Sequence, residues 1–185
     1  MLLNLWNPLK FKSKWIITSW SNHEMLSKTQ FLYEFNFSAV FKPFTNLEDS
    51  NDAFVAGQDS NGNDIYVGQA TFSGVLTPGR FFLESIGSKP AGIYAEFSGM
   101  EVYASTNVEY LYTSMDCDFQ WEQSENGTAV PFAVKVNGTK TYFIGRVFAQ
   151  GTLNVGKVLL KNRMYYSSNG VGYAARTYEI LVCYR

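Results

Sequence analysis

The feature that most constrains this chain is that it contains one pattern twice. Residues 58–70 lie over residues 135–147 at a single ungapped offset, and beyond them Gly74 falls on Gly151, Leu76 on Leu153 and Gly79 on Gly156. Within the overlaid stretch Gly68 meets Gly145, and just past it Arg80 meets Lys157, which keeps a cation. Upstream, the same offset sets Phe44 on Trp121 and Glu48 on Glu125. Farther on the first copy carries a few extra residues, after which Gly99 meets Gly170 and 108–111 meets 178–181. Self-similarity at a fixed period marks a repeated structural unit, and such units bury their apolar faces against each other.

The copies are written in strand grammar. Ile65-Tyr-Val and Tyr142-Phe-Ile are β-branched and aromatic, with Asn61-Gly62 and Asn137-Gly138 just upstream as hairpin signals. Gly68 and Gly145 inside these runs predict a bulge or a close backbone approach. Phe31, Tyr33, Phe35, Phe37 and Phe41 share one parity, with Glu34, Asn36 and Ser38 on the other, which predicts a half-buried strand. No segment shows a sustained helical period flanked by caps. An aromatic share of 17% and 15 glycines agree with strands and tight turns, and 185 residues suffice for a core without disulfides or metals. The expected fold is all-β: two interlocked repeats forming a pseudo-twofold β-sandwich or barrel-like domain. Repeat one is placed at 41–114 and repeat two at 118–185. Residues 1–40 form an N-terminal extension with room for an added strand.

Charge and rare residues exclude several chemistries. A net charge of −1 gives no field for nucleic acid or anionic membranes. The lone histidine, His23, sits in a polar stretch and reads as an exposed loop residue. With it, Cys117 and Cys183 make only three zinc-type ligands, too few for a structural site. Two cysteines permit one disulfide and show no framework, which leaves the redox compartment open. No uncharged apolar run reaches spanning length, and Lys10, Lys12 and Lys14 fall where a signal peptide has its apolar core. The expectation is therefore a cytoplasmic rather than a secreted protein, with no membrane insertion. The glycosylation triplets at Asn36, Asn126 and Asn137 matter only in a secreted chain.

Three motifs invite sharper readings. The run from Gly151 to Lys157 has phosphate-loop spacing, but Val158 follows where Ser or Thr should hold magnesium, and a strand follows where a helix is needed. The run from Asp59 to Asp64 resembles the start of a calcium loop, yet Asp64 stands where glycine is required and Ala70 where the closing glutamate is required. Glu122 and Glu125 are a carboxylate pair, but glycoside hydrolysis needs two carboxylates opposed across a cleft. A polar turn and solvated charges are the ordinary readings. No cofactor, no resident metal and no catalysis are expected.

Taken together, Ala56-Gly-Gln-Asp59, Asn61-Gly-Asn-Asp-Ile-Tyr-Val-Gly68, Pro78-Gly-Arg80, Ser98-Gly-Met-Glu101 and Glu109-Tyr-Leu111 resemble the DM9 repeat. The second copy is similar through Trp121, Pro131-Phe-Ala-Val134, Tyr142-Phe-Ile-Gly-Arg146, Gly156-Lys157 and Tyr178-Glu-Ile-Leu181. The resemblance covers roughly 44–182 and extends to natterin-like proteins and to insect proteins called farnesoic-acid-methyltransferase-like. No glycine-rich nucleotide loop supports methyl transfer here. The resemblance implies interlocked β-sandwich halves and, in lectin members, mannose binding through an Asp and a Lys, with roles in innate recognition. Those positions map onto Asp59 and Arg80. An Arg presents a planar fork where Lys is a point charge, so the exchange is not neutral. In repeat two the cation is Lys157, the Asp position maps onto Val136, and neighbouring Asn137 is its nearest substitute, which makes a weaker second site. The implied function is a lectin for mannose-type glycans, with a homodimer supplying avidity. The alternative is a non-catalytic protein-interaction domain that has lost sugar binding.

Overall fold

The computed structural model describes residues 41–113, 116–128 and 130–184. The first copy supplies β1 (Phe41–Pro43), β2 (Val55–Gln58), β3 (Asp64–Phe72), β4 (Val75–Phe82), β5 (Gly92–Phe97), β6 (Met100–Ala104) and β7 (Val108–Leu111). The second supplies β8 (Asp118–Glu125), β9 (Lys135–Asn137), β10 (Thr141–Ala149), β11 (Thr152–Val158), β12 (Met164–Ser168), β13 (Val171–Ala175) and β14 (Thr177–Tyr184). Helix among the described residues is a single 3-10 turn, Glu48–Ser50. Apart from Phe41, the strand expected from the aromatic alternation lies outside the described residues, as do His23 and the Asn36 triplet.

All strand pairings are antiparallel. The order β1-β7-β3-β4-β5-β6 is followed by its mirror, β13-β12-β11-β10-β14-β8, with β2 added to β3 and β9 added to β10. The seam is therefore pseudo-twofold. There Met100 pairs with Val171, Glu101 N–H donates to the Gly170 carbonyl at 3.2 Å, and Gly172 N–H to the Gly99 carbonyl at 2.9 Å.

Between the halves lies a shared core. Ala56, Ile65, Val67, Phe82, Tyr94 and Leu111 of repeat one pack with Val134, Val136, Ile144, Val155, Leu181 and Cys183 of repeat two. Each repeat keeps a smaller core of its own, around Phe81, Ile93 and Tyr110 in the first and Phe143, Met164 and Ile180 in the second. Stacked repeats gain stability in this way, because each buries part of its apolar face against its neighbour. Arg146 adds a cross-link, donating to the Ala56 carbonyl while its guanidinium lies 4.5 Å over the Trp121 ring. Cys117 and Cys183 form a disulfide with Cα atoms 5.3 Å apart.

The register corrects the repeat alignment upstream of β3. Phe41 pairs with Leu111 as Trp121 pairs with Leu181, so Trp121 is the counterpart of Phe41 and not of Phe44. Gly57 sits opposite Ile65 as Val136 sits opposite Tyr142, so Val136 stands for Gly57 and not for Asp59. The physical reason is loop length. The β2–β3 turn runs 59–63 while the β9–β10 turn runs only 138–140, so a single offset cannot hold across both.

Turn chemistry differs from expectation in a similar way. Asn61-Gly62 lies inside the longer β2–β3 turn, and Asn137 closes β9. The tight two-residue hairpins are Ser73-Gly74, Ser98-Gly99, Gln150-Gly151 and Asn169-Gly170, in which both residues have positive φ, as primed turns require. Gly68 and Gly145 mark close approach: a Cβ on them would lie 2.8 Å from the Phe81 Cβ and 2.7 Å from a Val158 methyl.

Candidate functional site

Asp59 opens the β2–β3 turn and serves that turn. Its carboxylate accepts the backbone N–H groups of Asn61 (2.8 Å) and Asn63 (3.0 Å) and the Asn63 side-chain amide (2.9 Å). Burial pushes the carboxyl upward, but the donors of Asn63, Asn61 and Gly62 outweigh it and hold the group below the ordinary value of 3.8. The half-buried carboxylate also borders a groove of about 780 Å³, between this turn and the segment 83–89. That segment belongs to the extra residues of repeat one, so the second repeat has no equivalent wall.

Arg80 lies elsewhere. It sits on β4, opposite Tyr94 of β5, and is only 3% exposed. Its guanidinium donates to Glu101 at 2.5 Å and to the Asn154 side chain at 3.1 Å, and its Nε–H is buried without a partner. Arg80 does not line the groove that Asp59 borders. An Arg closed by a buried carboxylate is a structural strut between repeats, since Asn154 belongs to β11. Lys89 caps the outer end of this network, 3.7 Å from Glu101 and 4.9 Å from the Tyr94 ring centroid. Burial, reinforced by Arg80, pulls the Lys89 ammonium below its usual range despite Glu101.

Lys157 is the pseudo-twofold mate of Arg80 and has a different environment. It faces Tyr165 on β12 as Arg80 faces Tyr94. Its ammonium donates to the Glu96 carbonyl at 2.8 Å and pairs with the Glu96 carboxylate at 2.9 Å. It lies 5.4 Å from the Tyr142 ring and 5.7 Å from the Phe97 ring. These groups line a cleft of about 250 Å³ that Lys140, Ser98 and Tyr165 complete. Repeat two supplies the cation and both tyrosines. Repeat one supplies Glu96, Phe97 and Ser98 from the β5–β6 hairpin, whose Gly99 N–H donates to Glu96 at 2.7 Å and fixes the carboxylate. Burial, and then the Glu96 charge, raise the Tyr142 hydroxyl above its ordinary 10.0. Asn137, at the exposed end of β9, does not line this cleft.

Of the four residues read from the sequence, two border cavities, and they border different ones. Glu96, Glu101, Lys140, Tyr142 and Tyr165 carry the local chemistry and were not singled out as site residues, although Glu101 and Tyr142 stood within the repeat motifs. The signal available was positional: Glu96 and Glu101 flank the Ser98-Gly99 turn, and each pairs with the cation of a different repeat.

Two interlocked β repeats with a small polar and aromatic cleft at their junction define a tandem-repeat β-sandwich. A family model described as the DM9 repeat matches residues 59–170, more than half of the sequence, and the chain belongs to that family, a carbohydrate-binding, lectin-like type. A comparison with curated proteins finds no match. Among solved structures, the crystal structure of the nematode sperm cell motility protein MFP2B is similar, with a TM-score of 0.53 and 15% identity over 80% of this chain. That match covers 44% of the nematode chain, so this protein spans less than half of its length, and at that identity the likeness speaks for the fold alone.

Proposed function

We propose that this protein is a non-catalytic carbohydrate-binding module for mannose-type glycans, and that its principal site is the Lys157 cleft. The observation that carries this reading is the pairing of Lys157 with Glu96 at the edge of a cleft lined by Tyr142, Tyr165 and Phe97. Sugars need that combination. Aromatic faces take the C–H side of a pyranose, while a fixed carboxylate and ammonium make charge-assisted hydrogen bonds to adjacent hydroxyls. A cleft of this size holds a single sugar unit, so binding is weak and useful retention requires a second copy of the chain. A homodimer displaying two such clefts, acting in innate recognition of microbial glycans, is the setting we propose.

The test is retention of the full chain on mannose-agarose, beside Lys157→Met, Tyr165→Phe and Asp59→Ala. The parent should bind, elute with free mannose and ignore EDTA. Lys157→Met and Tyr165→Phe should weaken retention, and Asp59→Ala should leave most of it. Flow-through of the parent would sink the reading. Loss of retention only in Asp59→Ala would move the site to the groove of repeat one. A second reading, an interaction domain without sugar binding, draws support from the closure of Arg80 by Glu101.

A further inference from the structure

From the donor inventory of the Lys157 cleft, we infer that it selects sugars bearing an anionic substituent (a carboxylate, sulfate or phosphate) over neutral hexoses, with Lys140 as the selecting residue. This rests on the reading of the cleft as a sugar site.

The groups lining the cleft are unbalanced. The one carboxylate, Glu96, is already engaged, with one oxygen accepting Gly99 N–H and the other paired to Lys157. Lys157 is thereby neutralised. Beyond that pair the cleft offers a ligand the ammonium of Lys140, which can only donate, and the hydroxyls of Ser98, Tyr142 and Tyr165, none of which has a side-chain hydrogen-bond partner among the described residues. An ammonium offers only donors, and a neutral tyrosine hydroxyl offers its proton most readily to an acceptor-rich group. With Glu96 and Lys157 cancelling, Lys140 leaves the cleft one positive charge. A neutral hexose brings hydroxyl lone pairs but no charge, and leaves that positive charge unmet. An oxyanion on the sugar meets it, with the ring on the aromatic faces and the anion towards Lys140.

The pseudo-twofold supplies an internal control. Asn63 is the counterpart of Lys140 in the β3–β10 register, Arg80 of Lys157, and Ser167 of Glu96. The first repeat therefore lacks the exposed lysine, and its own cation is closed by Glu101. The preference belongs to one cleft per chain.

Calorimetric titration of the full chain with methyl mannoside, mannose 6-phosphate, glucuronate, glucose 6-sulfate and inorganic phosphate tests this. At low salt the charged sugars should bind roughly tenfold more tightly than methyl mannoside, as one charge-assisted hydrogen bond allows. Added salt should erode the advantage. Lys140→Gln should bring the ratio of charged to neutral affinity close to one, whereas Arg176→Gln, an exposed cation away from the cleft, should leave it. Equal binding of charged and neutral sugars overturns the inference while leaving the sugar site standing. So does an advantage that survives Lys140→Gln, or phosphate alone binding as tightly as mannose 6-phosphate. Failure of every sugar to bind overturns both the site and the inference.

Discussion

At the scale of single residues, identical positions in two repeats have diverged because their surroundings differ. Arg80 and Lys157 share a place in the sheet, yet one is closed by Glu101 and the other borders a cleft. The Arg80–Glu101 pair is almost wholly buried, and removing one partner leaves an uncompensated charge. Arg80→Ala should lower stability by about 3–5 kcal/mol in urea unfolding, and Arg80→Met with Glu101→Leu should recover most of that. Asp59 makes a pH-dependent contribution. Its folded pKa lies below the ordinary 3.8, so the stability it adds is present above that value and is lost as pH falls through the lower folded value. Asp59→Asn should therefore flatten the acid limb of a stability–pH profile without abolishing it. Asp52, held low first by Lys42 and also by Tyr110 against its burial, still titrates there. That a cation stands at position 80 and position 157 was legible in the sequence. Which one is available to a ligand was not, because a hairpin more than ten residues away brings the carboxylates.

At the scale of elements, glycines that recur in both copies are explained by neighbouring backbone. A Cβ on Gly156 would run into the Tyr165 carbonyl, and one on Gly79 into the Tyr94 carbonyl. Gly156→Ala should cost about 1–3 kcal/mol and displace β12, weakening ligand retention through Tyr165 as well. Gly74 differs. Open space surrounds it, and only its φ of 79° resists a side chain, so Gly74→Ala should cost about 1 kcal/mol and spare the cleft. Thermal unfolding of the two variants separates collision from conformational strain. Strand runs and turn-forming glycines could be read in advance, since period-two alternation and positive-φ residues are local properties. The slip that set Val136 against Asp59 came from the shorter β9–β10 turn, which no local pattern announces.

At the scale of the whole molecule, stability rests on the contact between copies. The Cys117–Cys183 bond closes a loop across a separation of 66 residues, nearly all of repeat two. Closing a loop of that length in the unfolded chain is worth up to roughly 4 kcal/mol, so reduction, or replacement of both cysteines by Ala, should lower the urea midpoint accordingly while native circular dichroism is retained. The sequence by itself determined the all-β class, the repeat, the family and the positions of the two cations. The class, the repeat and the cations follow from composition, periodicity and spacing, and the family from the resemblance of its motifs, all of which are written along the chain. Only the tertiary structure decided that each repeat also keeps a smaller core of its own, that Asp59 and Arg80 do not line one cavity, and that the cleft is built from both copies. Such juxtapositions depend on how the strands of one repeat meet the hairpin of the other, and no spacing within either repeat encodes that meeting.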